Sequence, residues 1–188
     1  MKELFALAER DSKQVHALIS LLRTCALRIQ DAVGLTFSDV LDIEPNEDGF
    51  RTVTLEAKKT SERTVTIDQG TANVIIAYKF EKGAADDACM FEPGHGTNPA
   101  NKWVKMLRKF YKQRGHDVKS HDFRVSQATD FYNETKDIEM TRRFMNHSDI
   151  RTTQRYLKTA QEVVDKTTQE FLKKKQATKR QRTSVINQ

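Results

Sequence analysis

Apolar residues recur at helical spacing along nearly the whole chain, and a single stretch, residues 51–67, breaks that rhythm by alternating. The side-chain period is 3.6 residues in a helix and 2 in a strand, so this pattern fixes the class before any motif is considered. Ser12 precedes a run whose apolar face includes Val15, Leu18, Ile19 and Leu22, and is placed to cap it. A short segment, 27–35, ends near Gly34. Residues 51–55 and 63–67 read as strands joined by the charged connection 56–62. Residues 40–43 read as a third strand that leads into the turn 45–49. Helices are then expected over 71–81, 99–114, 120–133, 138–146, 150–158 and 160–175, with 83–98 as the longest loop. The expected class is mainly α with a small three-stranded antiparallel sheet (α+β).

Length and charge narrow the reading further. With 188 residues the chain can bury one good hydrophobic core. No stretch approaches the roughly 20 apolar residues of a spanning helix, and mean hydropathy is −0.69. The beginning of the sequence lacks the apolar run of a secretory signal. Cys25 and Cys89 form neither a disulfide framework nor a spacing suited to zinc, which points to a reducing, intracellular setting with no metal or other cofactor. Of 32 basic residues, six lie within 173–182, where there is no acid, so the rest balances the 26 acidic ones. Lys173, Lys174 and Lys175 open this tail, which suits a polyanion or is a solvated end. A second basic row, Lys102, Lys105, Lys109 and Lys112, recurs at three- and four-residue steps opposite Trp103, Met106, Leu107, Phe110 and Tyr111. Such a helix could lay its lysines on phosphates while the aromatic stripe packs inward.

Three short motifs carry chemistry. His121-Asp122-Phe123-Arg124 sets an imidazole and a guanidinium on one helix face. Ala26-Leu27-Arg28-Ile29 puts an arginine after a hydrophobic helix, where an unpaired charge is costly and an anionic partner is expected. His147-Ser148-Asp149-Ile150-Arg151-Thr152-Thr153-Gln154-Arg155-Tyr156 adds a second histidine and a tyrosine. Residues 21–35, the His-x-x-Arg box and the His147 to Tyr156 stretch resemble, in order and separation, the three boxes of the tyrosine recombinase (phage integrase) family.

The resemblance implies the catalytic-domain fold of that family over residues 1–172, with 173–188 read as a flexible basic tail. The N-terminal core-binding domain usual in the family is expected to be absent, the chain being either a fragment of a longer protein or a minimal single-domain enzyme. It implies cleavage and rejoining of DNA strands through a 3′-phosphotyrosyl intermediate on Tyr156. Arg28, Arg124, His121 and His147 would lie on the scissile phosphate, without a metal, His121 either accepting the tyrosine proton or hydrogen-bonding the phosphate. A hairpin lysine would act as general acid, counted to Lys58, with Lys59 one step away and also placed to meet DNA. The residue types suit the task. A free tyrosine titrates near 10 and needs help as a nucleophile, and two guanidinium forks can stabilise a five-coordinate phosphorus. Double-stranded DNA is the implied partner, and a tetramer on synapsed DNA the implied assembly. The implied location is DNA-associated, in cytoplasm, nucleoid or nucleus. A DNA-relaxing enzyme of the topoisomerase kind and a non-catalytic DNA-binding relative are the alternatives. Two positions depart from the family pattern: Asn146 stands where glycine is usual, and Thr66 where proline is common.

Overall fold

The computed structural model describes residues 1–55 and 63–156, together with 168–169 and 172–173. Its centre is the helix that Ser12 starts. The Ser12 hydroxyl accepts from the Val15 amide at 3.2 Å, a cap worth about 1 kcal/mol. The helix preceding it, α1 (Lys2–Asp11), was not expected from the sequence, because only Leu4, Phe5 and Ala8 mark its inner face. Next comes α2 (Lys13–Thr24), in which Leu18, Ile19, Leu21 and Leu22 are fully buried. Helix α2 packs against α1, against α5 (Gln69–Lys82) and against α7 (Ser120–Thr135), as expected of a helix apolar on most of its circumference.

Between them the chain makes two short turns of helix, α3 (Ile29–Ala32) and α4 (Ser38–Leu41). Helix α4 replaces the third strand expected at 40–43. Thr36 and Asp39 explain the difference. The Thr36 amide donates to the Asp39 carboxylate at 2.7 Å, and the Asp39 amide donates to the Thr36 hydroxyl at 3.1 Å. This reciprocal pair starts a helical turn and turns Phe37 and Val40 inward. Among the described residues the sheet therefore has two antiparallel strands, β1 (Arg51–Leu55) and β2 (Arg63–Ile67), with Val53 opposite Val65. Val53, Leu55, Val65 and Ile67 cover the core, while Thr52, Thr54, Thr64 and Thr66 face out.

Helix α5 stops at Gly83, whose φ of +61° is a left-handed conformation that glycine takes at little cost. The long loop that follows is tied down. Thr36 and Cys89 form an isolated antiparallel bridge, and a chain of aromatic rings runs Phe37, Tyr78, Phe91, Trp103 at centroid spacings of 5.8, 5.8 and 5.2 Å. The ring of Trp103 belongs to α6 (Asn101–Lys112), where Trp103, Leu107 and Tyr111 point inward and Lys102, Lys105, Lys109 and Lys112 are exposed, as the spacing predicted. The hydroxyl of Tyr111 donates to the Leu4 carbonyl at 2.9 Å and fastens α1. Two shorter helices follow, α8 (Ile138–Phe144) and α9 (Ile150–Tyr156), both packed on α7; the helix expected over 160–175 lies outside the described residues except at 168–169 and 172–173. No helix among the described residues is long and apolar enough to cross a membrane.

Candidate active site

Two tight reversals of the backbone meet under the N-terminal half of α7. After α2 the chain turns at Ala26, with φ +47°, and after α8 it turns at Asn146, with φ +48°. Left-handed backbone costs a residue with a Cβ about 1–2 kcal/mol, so both turns need support from outside themselves. Asn tolerates this region better than most side chains, which accounts for its standing where a glycine is usual.

The support comes from Arg124. Its guanidinium is 1 % exposed; Nη1 donates to the Ala26 carbonyl and Nη2 to the Met145 carbonyl, so one side chain bridges both turns. Arg28, half-buried just past the first turn, reaches across and donates through Nη2 to the Asn146 carbonyl at 3.1 Å. The Arg28 amide is itself held by the Asp31 carboxylate at 3.1 Å, which starts α3. Further back, Arg23 on α2 donates to Gln127 at 2.6 Å and to Asp130 at 2.7 Å on α7, fixing the two helices that deliver Arg28 and Arg124.

His147 follows Asn146 and is 5 % exposed. Its Nδ1 lies 2.9 Å from the hydroxyl of Thr153, which is fully buried on α9. His121 sits one turn before Arg124 on α7, exposed at its rim. Its pKa is lowered from the ordinary 6.5, first by desolvation and then by repulsion from the Arg124 and Arg28 charges, with Asp122 opposing. The shift favours the neutral imidazole at neutral pH. A cavity of about 300 Å³ opens beside Asn146, lined also by Cys25, Thr64, Val65, Thr66, Arg143 and Phe144. It joins the outer edge of the sheet to the second turn.

Four of the six residues expected at the site, Arg28, His121, Arg124 and His147, therefore come together from three separate parts of the chain. Tyr156 ends α9, the helix that carries Thr153. Lys58 and Lys59 lie outside the described residues, as do Lys174 and Lys175; Lys173 is described and exposed. Cys25 is a buried thiol, as expected from its apolar setting. Glu139 and Arg142 of α8 were not expected at the site. Glu139 binds Arg142 through both carboxylate oxygens, at 2.8 and 2.7 Å, and Arg143 at 3.0 Å. Their three- and four-residue spacing on one helix was the available signal.

The geometry can be set beside known proteins. The profile of the phage integrase family matches residues 1–162. Among solved structures, XerA recombinase superposes with a TM-score of 0.69 at 20 % identity, over 90 % of this chain and 60 % of that one. A post-cleavage complex of XerH site-specific recombinase with palindromic difH substrate gives 0.68 at 15 % identity, over 89 % and 50 %. Tn1549 transposon integrase in complex with transposon right end DNA gives 0.64 at 16 % identity, over 91 % and 63 %. The chain thus spans about half to two thirds of the length of these structures, which share its mainly helical fold. No curated protein sequence matches it.

Proposed function

The chain belongs to the phage integrase family, and from that premise we propose that it cleaves and rejoins DNA strands with Tyr156 as nucleophile. The observation that carries the reading is the grip of Arg28 and Arg124 on the turn at 145–147, which includes His147, with His121 one turn before Arg124 on α7 and Tyr156 ending the helix that follows.

In this reading the Tyr156 oxygen attacks the scissile phosphorus and His121 takes its proton, which the lowered pKa allows. The bond from phosphorus to the 5′ oxygen breaks, leaving the phosphate on Tyr156 through its 3′ side. Lys58 gives the departing 5′ oxygen its proton. Lys58 lies outside the described residues, and its role rests on the family resemblance; of the strand that follows the connection, Thr64, Val65 and Thr66 line the cavity beside Asn146. Arg28, Arg124 and His147 stabilise the charge gathered on the non-bridging oxygens, and no metal takes part. Attack by another 5′-hydroxyl reverses the steps and joins the strands.

Double-stranded DNA is the proposed partner, supported by the DNA-bound state of the XerH and Tn1549 structures. The exposed lysines of α6, together with Lys59 and the tail from Lys173 through Lys175, supply cations for its backbone. Residues 1–172 form the catalytic domain and 173–188 a basic arm in this account, with four protomers acting on synapsed sites and the protein held where DNA is.

Covalent trapping tests the proposal. Nicked duplexes, in which the short strand with its new 5′-hydroxyl diffuses away after cleavage, should leave protein–DNA adducts that survive detergent. Tyr156→Phe should abolish them while DNA binding persists. Adducts of equal yield from Tyr156→Phe would mean that another residue is the nucleophile.

A further inference from the structure

Three consecutive carbonyls in the second turn are each held by a different arginine: Met145 by Arg124, Asn146 by Arg28 and His147 by Arg142. The first two arginines already have a place in the proposed chemistry. Arg142 does not, yet its grip is the most complete. Its Nη1 donates to the His147 carbonyl at 2.5 Å, and its own backbone carbonyl accepts from the His147 amide at 3.0 Å. Arg142 therefore holds both polar groups of the His147 main chain. Its remaining nitrogens, Nε and Nη2, are taken by the two oxygens of Glu139. A bidentate fork of this kind fixes the plane of the guanidinium, which lysine or glutamine cannot do.

We infer that Arg142, aimed by Glu139, is a positioning residue that sets the His147 backbone so that its ring stays against Thr153 and faces the site. The chain of contacts runs Glu139, Arg142, the His147 carbonyl, then the His147 ring to Thr153 at 2.9 Å. Each link is short and directional, and the ring has little surface free for another orientation, being 5 % exposed. The carboxyl of Glu139 is lowered to about 2 by its bonds to Arg142 and then Arg143, so the fork is intact throughout the working pH range. The same network explains why α8 carries Glu139 three residues before Arg142 and four before Arg143. Arg143 neutralises the charge left on the carboxylate and lines the cavity wall.

The value of this device to catalysis rests on the proposed strand-cleavage reading, but its geometry can be measured without activity. Nitrogen-15 spectra of the His147 ring, identified by its loss in His147→Ala and recorded at alkaline pH, should show one fixed tautomer in the unaltered chain. Arg142→Ala should average or shift those signals, and Arg142→Lys, which can still donate to the carbonyl, should restore them in part. In the trapping assay Arg142→Ala should slow adduct formation roughly ten-fold, the scale at which lost outer partners affect an oriented group. It should cost nothing further in a His147→Ala background, because both changes remove the same function. Unchanged ring signals in Arg142→Ala, or an equal loss in both backgrounds, would overturn the inference. If the ring responds while the unaltered chain forms no adduct, the positioning stands and the strand-cleavage reading fails.

Discussion

The interior of α2 and the junction of Arg124 with the two turns beneath it are both hidden from water and built on opposite terms. Leu18, Ile19, Leu21 and Leu22 are fully buried and make contacts that depend on volume and hardly on direction. A few residues on, at Ala26, burial is filled by a guanidinium and backbone carbonyls, and everything depends on direction. The core can shift by a fraction of an ångström and lose little. The junction cannot, because two left-handed turns are held there by the two ends of one side chain. The lesson is a division of labour: α2 supplies apolar packing, while Arg124 ties together the two turns that Arg28 and His147 closely follow.

The largest expected effect comes from treating the junction as if it were core. Arg124→Met keeps much of the volume but leaves the Ala26 and Met145 carbonyls without their donor, at roughly 1–3 kcal/mol for each. A loss of about 3 kcal/mol in urea unfolding and of at least about 100-fold in adduct formation is expected. Leu18→Met, the matched change in the core, should cost less than about 1.5 kcal/mol and leave the cleavage rate of the folded molecules unaltered. Equal effects of the two would erase the distinction.

A smaller effect sharpens it. At φ +48°, Asn146→Gly should be neutral or stabilising by some tenths of a kcal/mol, whereas Asn146→Val should cost about 1–2 kcal/mol, both read from thermal melting. Valine tolerated as well as glycine would mean that the turn is not under constraint.

The smallest concerns protons. Folding lowers the pKa of His121 below 6.5, so the unfolded chain binds its proton more readily and stability falls as pH drops through that value. With His121 as base, the acid limb of the cleavage profile should have its midpoint below 6.5. A midpoint above it would remove His121 from that role.

Much of this was legible in advance, for reasons that differ by element. Helix α2 declared itself through a wide apolar face and the Ser12 cap, and α5 through its stop at Gly83. The error at 40–43 came from reading Val40 and Ile43 as strand residues while passing over Thr36 and Asp39, whose mutual bonds decide the local structure. Helix α1 was missed because its inner face is narrow and its anchor, the Tyr111 hydroxyl, is far away in sequence. At the candidate site, the order and separation of three boxes resembling the family's pointed to Arg28, His121, Arg124 and His147. What joins them was hidden, since the acceptors are main-chain carbonyls that every residue has, and alanine gives no sign that position 26 is left-handed. Arg142 was hidden likewise, because its pairing with Glu139 looks like any surface pair until its bond to the His147 carbonyl is seen.

The most direct test of the account is to digest the trapped protein–DNA adduct and locate the attached nucleotide by mass spectrometry. The account predicts a 3′-phosphodeoxynucleotide on the peptide containing Tyr156, linked through the phenolic oxygen. A nucleotide on any other residue, or one attached through its 5′ phosphate, would contradict it.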